Sequence, residues 1–367
     1  MLVGAYMLSP HVHSLRLSNS AHSVCCVLPL VLLLQYLCFR MNLIITNIPL
    51  RQRQATIDIN IFEAMSSSTI TQFQPNGHQT SIMKWQNSSI INDFGKKYYV
   101  CPTFIGRLGN NMFQYAASYG IAFDNGKRLL IAKQSLIATY FQVDANMTED
   151  ALQQCSTFPV YTSPNWGIYN PPFSDGILKN DNIRTEGYFQ SYKYFLQVKE
   201  SIKKQFLSFK GRTKALNILD KIRKKFSVKE EMTNFSLIGV HIRRGDKVYA
   251  NNRLAPKEYF IQAMGYFTSK YENPVFVVSS EDIKWARNAV PSYYNAVFLS
   301  QSSTPDIDLA ILSMCDHIII SVGSYGWWAA YLNRGEVVYY KSWIISGSDL
   351  DKDFKHEDYY PPEWIPM

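Results

Sequence analysis

LIGVHIR (237–243), PVFVVS (274–279), AVFL (296–299), HIIISV (317–322) and VVYY (337–340) decide the fold. Each is a short run of β-branched and aromatic residues with little polar interruption, the pattern of a strand covered on both faces. Between them lie 256–271, 282–290, 305–315 and 325–332, which read as helices. Strand and helix alternate with no hairpin-length connection, so the sheet is parallel and doubly wound. Ligands of such sheets bind outside the carboxyl ends of the strands. The residues that follow each strand are therefore the ones to inspect.

Upstream, YYVCPTF (98–104) reads as a strand, IGRLGN (105–110) as a turn and 111–123 as a helix closed by Asn125-Gly126. A second strand follows at 128–132, giving a βαβ beginning. A further strand is expected at 183–189 and a helix at 194–206, whereas 134–172 shows no clear period. The chain thus carries two α/β stretches, and their strand ends hold the candidate chemistry.

HIRRGD (241–246) closes the first strand of the second stretch and delivers Arg243 and Arg244 where a ligand would sit. A guanidinium is always charged and offers a planar fork to phosphate oxygens, which a lysine ammonium does not reproduce. The bland alternative pairs one arginine with Asp246 and leaves the other in solvent. In the first stretch, GRLGN (106–110) occupies the corresponding place and opens a helix, so its N–H groups can face an anion. It is neither G-x-G-x-x-G nor a P-loop, so a nicotinamide or ATP site is unsupported. SSED (279–282) and SVGSYGWW (321–328) end two more strands. Ser280 or Asp282 could equally cap the next helix, and Trp327 and Trp328 read as core. No Cys/His spacing suggests zinc, and Asp306-Ile307-Asp308 opens a helix rather than a metal-binding loop.

The sequence has 367 residues, 37 Lys plus Arg against 29 Asp plus Glu, and a formal charge of +8. With an ordinary apolar fraction, disorder and collagen-like repetition are excluded. Much of the excess charge lies within 199–231, which reads as the solvated faces of helices. That placement does not support a nucleic-acid partner. Residues 21–39 are uncharged and apolar enough for a signal-anchor, with a cleaved signal peptide as the rival reading. Residues 1–20 precede it as a short tail, and the polar residues 40–96 read as a flexible stem. Sequons at Asn87, Asn146 and Asn234 fit a lumenal setting. Of the cysteines beyond the apolar segment, Cys101, Cys155 and Cys315, one pair at most can form a bridge.

GRLGNNMFQYA (106–116), VHIRRGD (240–246), DLAILSMCDHIIISVGSYGWWAAYL (308–332) and the PPEW tail (361–364) together resemble the galactoside alpha-1,2-fucosyltransferase family. The likeness covers roughly 98–367 and keeps the order and spacing of the motifs. It implies a GT-B-type fold, two Rossmann-like domains with a cleft between them, at 97–235 on the acceptor side and 236–367 on the donor side. It further implies GDP-fucose as donor, a β-galactoside-terminated glycan as acceptor, inversion at the anomeric carbon and no obligatory metal or other cofactor. The setting implied is a single-pass type II Golgi membrane protein with a lumenal catalytic domain.

Carried over by motif, Arg243 is expected on the β-phosphate, with His241 and Arg244 supporting it. Arg107 and Asn110 are expected across the cleft, and Asp282, Ser324 and neighbouring Tyr325 at the guanosine or diphosphate. Asp246, then Glu281, are the candidate bases for the acceptor hydroxyl. Lys247 stands where the vertebrate pattern has Tyr, which touches acceptor preference rather than donor. Two alternatives stay open: a fucosyltransferase with another acceptor or linkage, and an inactive glycan-binding relative.

Overall fold

The computed structural model describes residues 97–171, 181–229, 232, 234–245, 254–300 and 304–367. The expected anchor and stem, Asn87, Asp246 and Lys247 lie outside them. Among the described residues no helix is long and apolar enough to cross a membrane.

Two parallel sheets organise the chain. The first has five strands: β1 (Tyr99–Pro102), β2 (Arg128–Ala132), β3 (Asn146–Thr148), β4 (Val160–Thr162) and β5 (Ile183–Glu186). Their order is β3-β2-β1-β5-β4, and every pairing is parallel. The second has six: β6 (Leu237–Ile242), β7 (Val275–Ser280), β8 (Ala296–Phe298), β9 (His317–Ile320), β10 (Val337–Tyr339) and β11 (Ile365–Pro366). Their order is β11-β10-β9-β6-β7-β8, again all parallel. Read from β8, this is the 3-2-1-4-5-6 order of a doubly wound dinucleotide-type sheet. The order reverses between β6 and β9 in this sheet and between β1 and β5 in the other. Loops leave in opposite directions at such points and open a crevice.

The helices are α1 (Leu108–Asp124), α2 (Leu136–Tyr140), α3 (Ala151–Cys155), α4 (Lys199–Phe206), α5 (Arg212–Lys224), α6 (Lys257–Lys270), α7 (Ile283–Ala289), α8 (Pro305–Ser313), α9 (Ser324–Leu332), α10 (Asp349–Lys352) and α11 (His356–Tyr359). The expected helix at 194–206 divides into a 3₁₀ segment, Tyr192–Val198, followed by α4, because Phe195 leaves helical dihedrals to bury its ring. On α5, Ala215, Leu219 and Ile222 are buried while the flanking lysines face solvent. The basic stretch is therefore the outer face of packed helices, as its periodicity indicates.

A core common to both sheets holds the molecule together. Phe113 of α1 meets Trp327 and Trp328 of α9 at ring-centroid distances of 4.4 and 5.1 Å, and Phe195 stacks on Trp328 at 5.5 Å. All four rings are fully buried. Each such aromatic withdraws roughly 150–250 Å² from water, on the order of 4–6 kcal/mol as an upper bound. The C-terminal segment returns across the first half: Gly167 N–H donates to Asp353 O, and Lys355 N–H donates to Gly167 O. Lys193 pairs with Asp358 at 2.6 Å, and Trp327 Nε1 donates to Tyr359 O at 2.8 Å. Cys101 and Cys155 form a disulfide that ties β1 to α3, and Cys315 is a buried free thiol.

Candidate active site

The two switch points face a shared cavity of about 1040 Å³. From the first sheet, Gly106–Asn110 follow β1 while Tyr188 and Gln190 follow β5. From the second, His241 and Arg243 come from the end of β6, Ser279–Glu281 from β7 and Val322–Tyr325 from β9. Much of the lining is thus delivered by strand ends, where a doubly wound sheet presents its ligands.

Arg243 is the best-anchored charge. Its N–H donates to Ser321 Oγ at 2.8 Å, which fastens the end of β6 to the end of β9. Its guanidinium donates to Glu281 Oε1 at 2.6 Å, and the side chain keeps 17% of its surface accessible. The same carboxylate oxygen accepts Arg244 N–H at 2.9 Å. Gly245 bends away at φ 37°, and a Cβ there would come within 2.7 Å of Glu281 Oε1, so the turn needs glycine. Glu281 is accordingly the group that orients Arg243. Arg244 turns off the cavity and lays its guanidinium 4.1 Å over the Trp285 ring, a cation–π contact.

His241 lines the cavity at 4% exposure, and its Nδ1 has no hydrogen-bond partner among the described residues. Burial first, and the Arg243 charge second, push its pKa down to about 3, so the ring is neutral. Gly326 packs so closely on that nitrogen that any Cβ would collide with it. Asp282 is not among the lining residues. Its Oδ1 accepts Trp285 N–H at 2.9 Å as the N-cap of α7. Asp308 does line the cavity, and its Oδ2 accepts the Ser279 hydroxyl at 2.8 Å.

The two walls meet at Asn110. Its Oδ1 accepts Gln190 Nε2 at 2.9 Å and Ser324 Oγ at 2.6 Å, linking both post-strand loops of the first sheet to the start of α9. A Cβ on Gly109 would sit 2.5 Å from Tyr325 N, so the N-terminal turns of α1 and α9 abut only because that residue is glycine. Both helix dipoles, and the exposed Arg107, raise the potential where an anion would bind. Tyr325 donates its hydroxyl to Pro305 O, and burial raises its pKa.

Of the residues singled out from sequence, Arg107, Asn110, His241, Arg243, Glu281, Ser324 and Tyr325 converge on the cavity, whereas Arg244 and Asp282 point elsewhere. Tyr188, Gln190, Trp166, Trp343 and Tyr359 also line it and carry no motif. The expected strand at 183–189 ends in fact at Glu186, so Tyr188 falls past its end rather than within it; for Gln190 the carboxyl-end rule applied to the expected strand was already a signal. Asn146 and Asn234 are exposed.

Residues 68–367 match the family model for glycosyl transferase family 11. The chain is 31% identical over 271 residues to a galactoside 2-alpha-L-fucosyltransferase of Bos taurus, covering 71% of each chain. It is 32% identical over 272 residues to galactoside alpha-(1,2)-fucosyltransferase 2 of the same species, covering 71% of this chain and 76% of that one. Among solved structures it is similar to a fucosyltransferase of Bradyrhizobium, with a TM-score of 0.46 and 12% identity, covering 67% of this chain and 96% of that one.

Proposed function

The chain belongs to glycosyl transferase family 11, and we propose that it moves L-fucose from GDP-fucose to the 2-hydroxyl of a β-galactoside at the end of a glycan. The observation that carries this reading is Arg243 at the β6/β9 switch point, held by Ser321 and Glu281 on the wall of a cavity that both sheets share. A GT-B arrangement is the corresponding fold, with the diphosphate between the N-terminal turns of α1 and α9 and the guanosine toward the ends of β7 and β8.

The chemistry follows from charge. As the fucosyl C1–O bond lengthens, negative charge grows on the departing β-phosphate oxygen. A preorganised guanidinium stabilises that charge without reorganising during the reaction. In this reading Arg243 does what a divalent cation does in other transferases, Arg107 adds positive potential from the opposite wall, and Glu281 positions Arg243. The acceptor hydroxyl attacks from the opposite face, its proton leaves to a base, and inversion results. Asp246 remains the proposed base. A neutral His241 beside the phosphates adds no charge to the site.

We assign the chain to the Golgi membrane, as a type II protein with 21–39 as its anchor and glycans at Asn87, Asn146 and Asn234. The Cys101–Cys155 bridge supports an oxidising compartment. The test is to express the full chain in a secretory pathway and incubate the detergent extract with GDP-fucose and a panel of β-galactosides, with and without chelator. Linkage is then mapped by methylation analysis. Fucose on the galactose 2-hydroxyl is expected in both conditions. A product at another position overturns the linkage, and loss of activity with chelator overturns the metal-free mechanism.

A further inference from the structure

The turn after β5 holds a conformation that its sequence resists. Gly187 sits at φ 128°, which glycine accommodates, but Phe189 sits at φ 50°. A bulky residue there is an outlier, and such strain persists only where the surroundings impose it. They do so here. Gln114 Nε2 donates to Gly187 O at 3.1 Å, Gln190 N–H donates to Trp166 O at 2.8 Å, and Gln190 Nε2 donates to Asn110. The result is a reversal that buries Phe189 against Tyr194 at 5.3 Å and turns the preceding residue outward. Tyr188 is left 40% exposed on the cavity wall, its hydroxyl bonded to nothing among the described residues.

The cavity that Tyr188 faces also has apolar lining. Trp166, whose carbonyl anchors this turn, packs its ring against Trp343 and Tyr359 at 5.8 and 5.9 Å, and all three line the same cavity. Leu350, 36% exposed, lines it too. This group carries no formal charge, in contrast with Arg243, Glu281 and Asp308 on the second sheet. The diphosphate of a nucleotide does not match such a wall, and its base is proposed above to lie toward the ends of β7 and β8. A neutral sugar ring does: the C3, C4 and C5 hydrogens of a β-galactopyranose form an apolar face, and an aromatic ring offers it a flat, rigid partner.

We infer that Tyr188 is the stacking platform for the acceptor galactose, a specificity-determining residue of a subsite that the turn after β5 and the segment after β10 build together. The inference rests on the function proposed above. A ring held by that face keeps its equatorial 2-hydroxyl at the edge, free to reach the donor. The phenol hydroxyl is available to a sugar hydroxyl beside it. The strained turn fixes the platform against the donor wall, since Gln190, two residues on, is bonded to Asn110 and through it to Ser324.

The test uses the full chain with Tyr188→Ala, Tyr188→Phe and Tyr188→Trp, with lactose as acceptor probe. The alanine variant should raise the lactose KM tenfold or more and leave GDP-fucose affinity, measured by calorimetry without acceptor, unchanged. Both aromatic variants should stay within threefold of the parent. An unchanged lactose KM in Tyr188→Ala, or an equal loss of donor affinity, overturns the assignment. Saturation-transfer NMR with lactose alone separates this inference from the function it rests on. Enhancement at the galactose H3, H4 and H5 that disappears in Tyr188→Ala supports the platform even if no fucose is transferred. Absence of any lactose signal from the parent chain refutes it.

Discussion

Replacing Arg243 by alanine separates the catalytic role proposed for it from a structural one by magnitude. The guanidinium is partly accessible, and its Glu281 partner keeps 32% of its side-chain surface exposed. Solvent screening holds the stability of such a pair to about 1 kcal/mol or less. After removal Glu281 still accepts Arg244 N–H, so the carboxylate is not orphaned and the fold should survive. The charge developing on the leaving phosphate has no such substitute. One preorganised donor of this kind is worth about 3–4 kcal/mol in the transition state, or 10²–10³ in kcat. Arg243→Lys keeps the charge but loses the fork and the reach to Glu281, and should fall between, roughly tenfold to a hundredfold below the parent. The assay is fucosylated lactose quantified by chromatography at saturating GDP-fucose, with circular-dichroism melting of each variant. A folded Arg243→Ala protein with kcat within threefold of the parent would refute the assignment.

Three further outcomes follow from the same geometry. Glu281→Gln should lower kcat roughly tenfold, as loss of a supporting partner does, while the shape of the pH–rate profile is retained; disappearance of the acidic limb would make Glu281 the base instead. Gly326→Ala drives a methyl into the buried His241 ring, an overpacking worth about 1–3 kcal/mol and a fall in Tm of roughly 2–10 °C; an unchanged Tm would show that the ring moves freely. His241 titrates at about 3 when folded, mainly through burial, and near the ordinary ~6.5 when unfolded. The unfolded chain therefore binds the extra proton between those values, and the stability present above pH ~6.5 is lost as pH falls through that window. Between pH 7 and 5 the parent should lose about 2 kcal/mol more in urea unfolding than His241→Gln, and equal losses would contradict the buried neutral ring.

Legibility from sequence tracked burial and range. β6 and β7 of the second sheet are covered on both faces, so LIGVHI and VFVVSS stand out as unbroken apolar runs and place Arg243 and Glu281 at their ends. β3 and β4 are three residues each, sit at the two edges of their sheet and are largely exposed. They carry no apolar run, and 134–172 is unreadable for that reason. Asp282 illustrates a tie that chemistry alone does not break: Asp before a helix caps it as readily as it binds a base, and here the cap is what forms. Tyr188 and the Asn110 bridge depend on contacts between residues far apart in sequence. No local pattern encodes them, although the strand-end rule marks their neighbourhood.

The shared core bears on how the cleft works. Phe113 belongs to the helix that starts at Leu108, just after Arg107, and Trp327 and Trp328 to the helix that starts at Ser324. The two helices that point their N-termini at the candidate phosphate site are thus packed on one another through fully buried rings. Spreading them apart would expose those rings, at on the order of 4–6 kcal/mol for each ring fully uncovered. Asn110, bonded to both walls, and Gly109, wedged against Tyr325 N, hold the same junction at the surface. Their positions therefore do not depend on the donor being bound. Reorganisation is what reduces the value of a hydrogen-bond donor in water, and a junction fixed by its core avoids that loss. Preorganisation of the proposed donor site thus rests on the aromatic core, so core-truncating substitutions such as Phe113→Ala should reduce kcat beyond what their effect on the folded fraction accounts for.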